Sequence, residues 1–219
     1  MDEDIESLSR RAGTAANAGR WEEARALWSE VRRRHPAHPA ALFSLGVHAM
    51  RSGDLREAQG LIAEACRAAP RDPLLPLTLA RIRRQQGDEA GEGEAIDAAL
   101  AIDPYFLPGL LAKAARLERL GALHAAAMFF RAALTSAPPE PNWPAVMADQ
   151  LRHARDVVAA VGRRHLEALE AGLADALEGL APAQVERWRE AASLMAGRSE
   201  PFLSKPNQLA VPRLPALPF

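Results

Sequence analysis

Cysteine, lysine, tyrosine and β-branched residues are all scarce in this sequence. The single cysteine, Cys66, can form no internal disulfide, so the fold does not depend on an oxidising compartment. Lysine occurs only at Lys113 and Lys205, which makes nearly all of the basic character arginine. Aromatic residues make up 5% of the chain, and the few Val, Ile and Thr argue against sheets. A net charge of −1 provides no global field for nucleic acid or a membrane surface. The acidic start Met1-Asp2-Glu3-Asp4 is followed by no apolar run, so it lacks the pattern of a secretory signal. No window reaches the roughly 18 apolar residues of a membrane span. These absences point to a soluble, cytoplasmic protein. Ala, Leu and Arg dominate what remains, and all three favour helix.

The strongest positive signal is a repeat. Gly19, Gly53, Gly87 and Gly121 follow one another at a strict spacing, and Pro36, Pro70, Pro104 and Pro138 keep the same spacing. Each glycine suits a turn that ends a first helix, where positive φ is cheap for glycine. Each proline suits the stop after a second helix. Small residues recur in register at Ala12, Gly46, Ala80 and Ala114, where two helices can approach closely. On the second helix a small and a large residue stand four apart: Ala24/Trp28, Ala58/Ile62 and Ala126/Phe130. The third set reads Glu92/Ile96. Such pairs share one helical face and form a socket and a knob.

The period is 34 residues, and with these positions it resembles the tetratricopeptide repeat (TPR). The expected fold is all-α: a TPR α-solenoid of about four helix-turn-helix repeats with a C-terminal helical cap and a proline-rich extended tail. The repeats fall at about 5–38, 39–72, 73–106 and 107–140. Residues 141–197 form a long helix plus a short capping helix, and 198–219 form the tail or linker. The long helix should open at Trp143-Pro144 and run about 50 Å at 1.5 Å per residue, with Gly162 and Gly172 as places where it could bend. The closing helix should present Val185, Trp188, Ala192 and Met195 on one face and end at Gly197. Such a cap is needed because the last repeat leaves an apolar face bare. The third repeat departs most from the pattern, through Pro76, Arg83 and Glu92. Gly91 and Gly93 lower the helix propensity of its second helix, so 87–97 is expected to be the softest segment.

No residue set in this chain makes an active site. His35 and His38 flank Pro36 in a turn with no third ligand nearby, which reads as a solvated turn rather than a metal site. His48 and His124 lie within helices with no carboxylate at helical spacing facing them. Cys66 falls on a packing position of its helix and reads as a structural thiol. No phosphate loop, nucleophile elbow or zinc-protease helix is present.

The groove is the better candidate, since the first helices of a TPR array line its concave face. From the first two repeats, Arg10, Asn17, Phe43, Ser44, Val47, Met50 and Arg51 should point inward. From the third and fourth, Leu77, Thr78, Arg81, Arg84, Gln85 and Arg119 should join them. Acidic residues there are few, chiefly Glu6 and Glu118. An arginine-rich groove suits a peptide bearing Asp or Glu, because guanidinium forks match carboxylates. The alternative is that these arginines form an ordinary solvated helix face. The Lys/Asn pair of chaperone-binding carboxylate clamps is missing, with Ser9 and Gly13 in the corresponding region, which argues against a chaperone-tail receptor.

The C-terminal third carries a second resemblance. Arg187-Trp188-Arg189-Glu190-Ala191 leads to Ala196-Gly197-Arg198, Glu200-Pro201-Phe202, Lys205-Pro206-Asn207 and Arg213-Leu214-Pro215-Ala216-Leu217-Pro218-Phe219. This resembles the segment that joins the TPR region to the catalytic domain in bacterial aspartyl/asparaginyl β-hydroxylase-like proteins. Arg213 stands where that family's motif has Gly. The resemblance implies a dioxygenase that uses Fe(II) and 2-oxoglutarate to hydroxylate Asp or Asn of a protein substrate. The family's iron-binding histidines lie in a domain after this point, so the chain itself carries no cofactor and is no enzyme alone. It would be the substrate-presenting region. The other reading is a free-standing TPR adaptor.

Overall fold

The computed structural model describes residues 4–140 and 142–177, together with 182–184, 186, 187 and 190. The expected closing-helix face, Val185, Trp188, Ala192 and Met195, and the tail 198–219 lie outside the described residues.

Nine helices and no strand occur among the described residues. They run α1 (Ile5–Asn17), α2 (Trp21–Arg34), α3 (Pro39–Arg51), α4 (Leu55–Ala68), α5 (Leu74–Gln85), α6 (Glu89–Ile102), α7 (Leu107–Arg119), α8 (Leu123–Ser136) and α9 (Ala148–Leu177). The first eight form four helical pairs, and each pair then packs on the next. Two compact units divide the chain, residues 1–161 and 162–219. The four pairs and the first turns of α9 belong to the first unit. Of the second unit the structure describes chiefly the later half of α9.

Local sequence explains each pair. Gly19, Gly53, Gly87 and Gly121 end the first helices at φ of 73°, 84°, 77° and 76°. That left-handed turn strains any residue with a Cβ. Asp54 and Asp88 cap α4 and α6, their carboxylates accepting from the amides of Glu57 and Gly91 at 2.9 Å. Pro36, Pro70, Pro104 and Pro138 fall two residues after the last residue of α2, α4, α6 and α8. Pro76 is accepted because it lies in the first turn of α5.

The core follows the small-and-large pattern. Ala12, Gly46, Ala80 and Ala114 are buried on the first helices, facing buried Trp28, Ile62, Ile96 and Phe130 on the second. At Gly46 the approach is so close that an added Cβ would lie 2.7 Å from Ile62 Cδ1. Val31, Ala65, Ala99 and Ala133 are fully buried one turn further on. Cys66 packs half-buried against the cluster around Leu42 and Ile62, and that burial pushes its thiol pKa up.

α9 begins later than the sequence suggests. It starts at Ala148, not at Trp143-Pro144. A turn closed by Met147 N–H donating to Pro144 O at 2.8 Å comes first. That turn lets Trp143 and Met147 pack against the cluster of α7, α8 and α9, where Leu151 and Ala154 are fully buried. Gly162 does not break α9, and a Cβ there would meet nothing within 4 Å.

Two glycine substitutions should differ in sign. Gly53→Ala is expected to destabilise by about 1–2 kcal/mol, because its φ of 84° penalises a Cβ. Gly60→Ala, in the open interior of α4, should stabilise by about 0.5–1 kcal/mol. Urea unfolding of both variants against the parent chain checks the pair.

Candidate peptide-binding groove

A groove of about 660 Å³ runs between α5, α7 and the segment that begins α9. Leu77, Ala80, Leu111, Ala112 and Ala115 form an apolar floor, because small residues leave space there. Arg81 and Arg84 rise on the α5 side, while Val146, Asp149, Gln150 and His153 stand on the α9 side. A smaller cleft of about 190 Å³ lies between α2 and α3, lined by Trp21, Trp28, Phe43, Ser44, Val47 and Arg51.

The charges around the larger groove are unequally satisfied. Asp149 is paired with Arg152, and the Glu118 carboxylate lies 2.8 Å from His153 Nε2. The side chains of Arg81 and Arg84 are exposed and make no hydrogen bond or ion pair among the described residues. They are therefore the uncommitted charges of this groove, and both are positive.

Arg119 does not belong with them. Its Nη2 donates to both carboxylate oxygens of Glu92, at 2.7 and 2.8 Å. Glu92 is only 5% exposed, at a position where the other second helices carry a buried alanine. Arg116 lies on the same carboxylate, with Nε 3.9 Å from Oε2 and Nη2 donating to Glu89 O at 2.9 Å. Arg83 Nη1 donates to Gly91 O at 2.9 Å from the other side. The two glycines make room for these arginines. A Cβ at Gly93 would lie 2.9 Å from Arg116 Cζ, and one at Gly91 would run first into the capping Asp88 carboxylate and then lie 2.8 Å from Arg83 Cδ. Segment 87–97, expected to be the softest part, carries polar contacts of its own. Glu92 is the counter-charge of Arg116 and Arg119, while Arg83 pairs with Glu94 at 3.3 Å.

The other expected groove residues divide. Phe43, Ser44, Val47 and Arg51 meet in the smaller cleft, and Leu77, Arg81 and Arg84 in the larger groove. Thr78 must be withdrawn: it is 3% exposed and its hydroxyl donates to Leu74 O at 2.8 Å. Met50 is half-buried and packs on the core around Leu42. Arg10 pairs with Glu6 at 3.5 Å, while Asn17 and Gln85 are exposed near the ends of α1 and α5. These four line neither cleft.

The histidines also find partners the sequence does not reveal. His38 caps α3, its Nδ1 accepting from Ala41 N at 3.3 Å. His48 Nε2 lies 3.4 Å from Glu22 on α2, and Arg25 Nε donates to the same glutamate at 3.1 Å. The Glu22 carboxyl is held below its usual range, first by Arg25 and then by His48.

Sequence reasoning missed Glu92, Trp21 and the α9 wall. The wall had a signal: Val146 and Asp149 stand one 34-residue period after Ala112 and Ala115, so the repeat register continues into α9.

Stacked helical pairs with an open groove define a helical-repeat scaffold of the kind that holds other chains. The family model for the tetratricopeptide repeat matches residues 10–73 and 48–105, so this stretch carries tetratricopeptide repeats. Solved structures agree on the fold. A thermophilic TPR protein of Thermus thermophilus matches at 19% identity and a TM-score of 0.54, over 87% of this chain and 100% of that one. YrrB, described as a TPR protein with an unusual peptide-binding site, matches at 16% identity and a TM-score of 0.54, over 77% and 92%. MamA of Desulfovibrio magneticus RS-1 matches at 20% identity and a TM-score of 0.54, over 61% and 75%. Among curated proteins, none matches the sequence. No described helix is long and apolar enough to cross a membrane.

Removing Glu92 should harm stability more than removing either groove arginine. Glu92→Ala leaves the largely buried Arg116 beside no carboxylate and should destabilise by roughly 1–3 kcal/mol, with water screening the more exposed Arg119. Arg81→Ala and Arg84→Ala should stay within about 0.5 kcal/mol of the parent chain. Chemical unfolding followed by circular dichroism measures all three.

Proposed function

We propose that this chain is a protein-interaction module that holds an extended, Asp- or Glu-bearing segment of a partner in the groove between α5, α7 and α9. The observation that carries this reading is the pair Arg81 and Arg84, uncommitted among the described residues, beside an apolar floor. A peptide gains from both features. Its side chains cover Leu77, Leu111 and Ala115, and its carboxylate meets guanidinium groups that need not release another partner first. The arginines are exposed, so their attraction weakens as salt rises. They tune affinity and selectivity, while the floor supplies sequence-tolerant burial.

A finer reading is that this is the substrate-presenting N-terminal region of an aspartyl/asparaginyl β-hydroxylase-like dioxygenase. The motifs between Arg187 and Phe219 support it, and an acid-seeking groove fits a substrate that carries Asp. Fe(II) and 2-oxoglutarate would then be held by a following catalytic domain and take no part in the groove. A free-standing TPR adaptor is the second reading. The repeat fold fits this reading equally well. Sequencing the gene beyond the Phe219 codon separates the two. Strands with spaced histidines support the hydroxylase association, and a stop codon supports the adaptor.

The groove itself is tested by titrating the chain with otherwise identical peptides that carry Asp, Asn or Ala. At low salt the Asp peptide should bind about tenfold tighter than the Ala peptide, a difference of about 1.4 kcal/mol. The double variant Arg81→Ala/Arg84→Ala should remove that preference. Equal affinity for all three peptides contradicts the reading. With Fe(II) and 2-oxoglutarate added, the peptides should show no mass gain of one oxygen.

A further inference from the structure

The cleft between α2 and α3 has features that the acid-binding groove does not use. At about 190 Å³ it is too small for a ligand-sized site, which typically occupies about 300–1,000 Å³, and it suits a single side chain. Its walls are Trp21, Trp28, Phe43 and Val47. Trp28 is a core residue, 7% exposed, whereas Trp21 is 42% exposed although aromatics are scarce in this chain. Trp28 Nε1 is a buried donor with no hydrogen-bond partner among the described residues.

Charge at the rim is also left over. Arg25 and His48 both engage Glu22. Arg51 has no carboxylate among the described residues, and its guanidinium lies 3.9 Å from the centre of the Trp21 ring. A guanidinium stacked on an indole keeps its in-plane N–H groups available for a carboxylate. Aromatic and arginine side chains around a small apolar pocket are the composition of binding hot spots.

Phe43 and Val47 occupy on α3 the repeat positions that Leu77 and Arg81 occupy on α5. The cleft and the groove therefore belong to one face, served by successive repeats. Helices α3 and α5 each pack on α4, so their register is fixed and an extended segment along this face meets the cleft and the groove at a constant offset.

We propose that this cleft takes one apolar side chain of the bound partner segment, of the Leu, Met or Phe class, with a neighbouring Asp or Glu paired to Arg51. This rests on the peptide-binding reading above and deepens it. The recognised motif has two parts: an apolar residue beside an acid, then a second acid at a constant offset, facing Arg81 and Arg84. Trp21 and Arg51 read the first part, and the α5 arginines read the second.

The test is selection of a random dodecapeptide library on four forms of the full chain: parent, Trp21→Ala, Val47→Arg and Arg81→Ala/Arg84→Ala. Val47→Arg fills the cleft while leaving both tryptophans in the sequence, and Arg81 shows that this repeat position accepts arginine. Thermal melts establish that each variant is folded. The parent should enrich peptides with a Leu, Met or Phe next to an acid and a second acid at a constant offset. Trp21→Ala and Val47→Arg should lose the apolar preference and bind the synthesised parent-selected peptide about tenfold more weakly. Arg81→Ala/Arg84→Ala should lose only the second acid. Acidic enrichment without an apolar residue, unchanged by Trp21→Ala and Val47→Arg, overturns the cleft and leaves the groove standing. Enrichment that needs the cleft but ignores Arg81 and Arg84 does the reverse. No enrichment on the parent chain overturns both.

Discussion

The close approach of the two helices within each pair is the constraint on which everything else depends. It is set by a small residue on one helix facing a large one on the next: Ala12 with Trp28, Gly46 with Ile62, Ala80 with Ile96, Ala114 with Phe130. At Gly46 not even a methyl group would fit without moving Ile62. Interiors are packed too densely to absorb such a change cheaply. Given that approach, the glycine turn must be tight, and a positive φ supplies it. Each pair then offers the same apolar edge to the next, so the core grows by repetition. The groove is what the stack leaves open, where alanines line the floor between α5 and α7.

The third pair shows how the pattern bends without breaking. Its second helix places Glu92 where the others place alanine, and a buried carboxylate needs opposite charge close by. Arg119 and Arg116 provide it from α7, and Gly93 next to Glu92 leaves room for the Arg116 guanidinium against the helix. This joins the third pair to the fourth by charge as well as by apolar contact. It also removes Arg119 from the set of groove arginines. The positive character that remains on this face lies at Arg81 and Arg84 on α5 and at Arg51 on α3.

Much of this is legible in the sequence because repetition averages out local ambiguity. One glycine at a helix end is a weak signal, but Gly19, Gly53, Gly87 and Gly121 in register mark one turn geometry four times. The socket and knob pairs are readable for the same reason. Side-chain commitments are less so. Glu92 and Arg119 are 27 residues apart, and whether they meet depends on helix rotation that periodicity alone does not set. Thr78 shares its face with groove residues, yet it turns back to the Leu74 carbonyl and is buried. Trp21 opens α2 as a first-turn residue and carries no groove signature until Arg51 is seen lying over it. The start of α9 is misleading in the sequence because Pro144 is a good first-turn residue, whereas here it belongs to a turn that seats Trp143.

The central claim is that the face shared by α5, α7 and the start of α9 receives an acidic segment. Backbone amide shift mapping by NMR, with the Asp-bearing peptide added to the intact chain, tests it most directly. Shifts concentrated on α5 around Arg81 and Arg84, on α7 from Leu111 to Ala115, and from Val146 to His153 are the predicted result. Shifts confined to a separate recess formed by α2, α3 and the start of α4, around Glu22, Arg32 and Glu57, or none at saturating peptide, would contradict it.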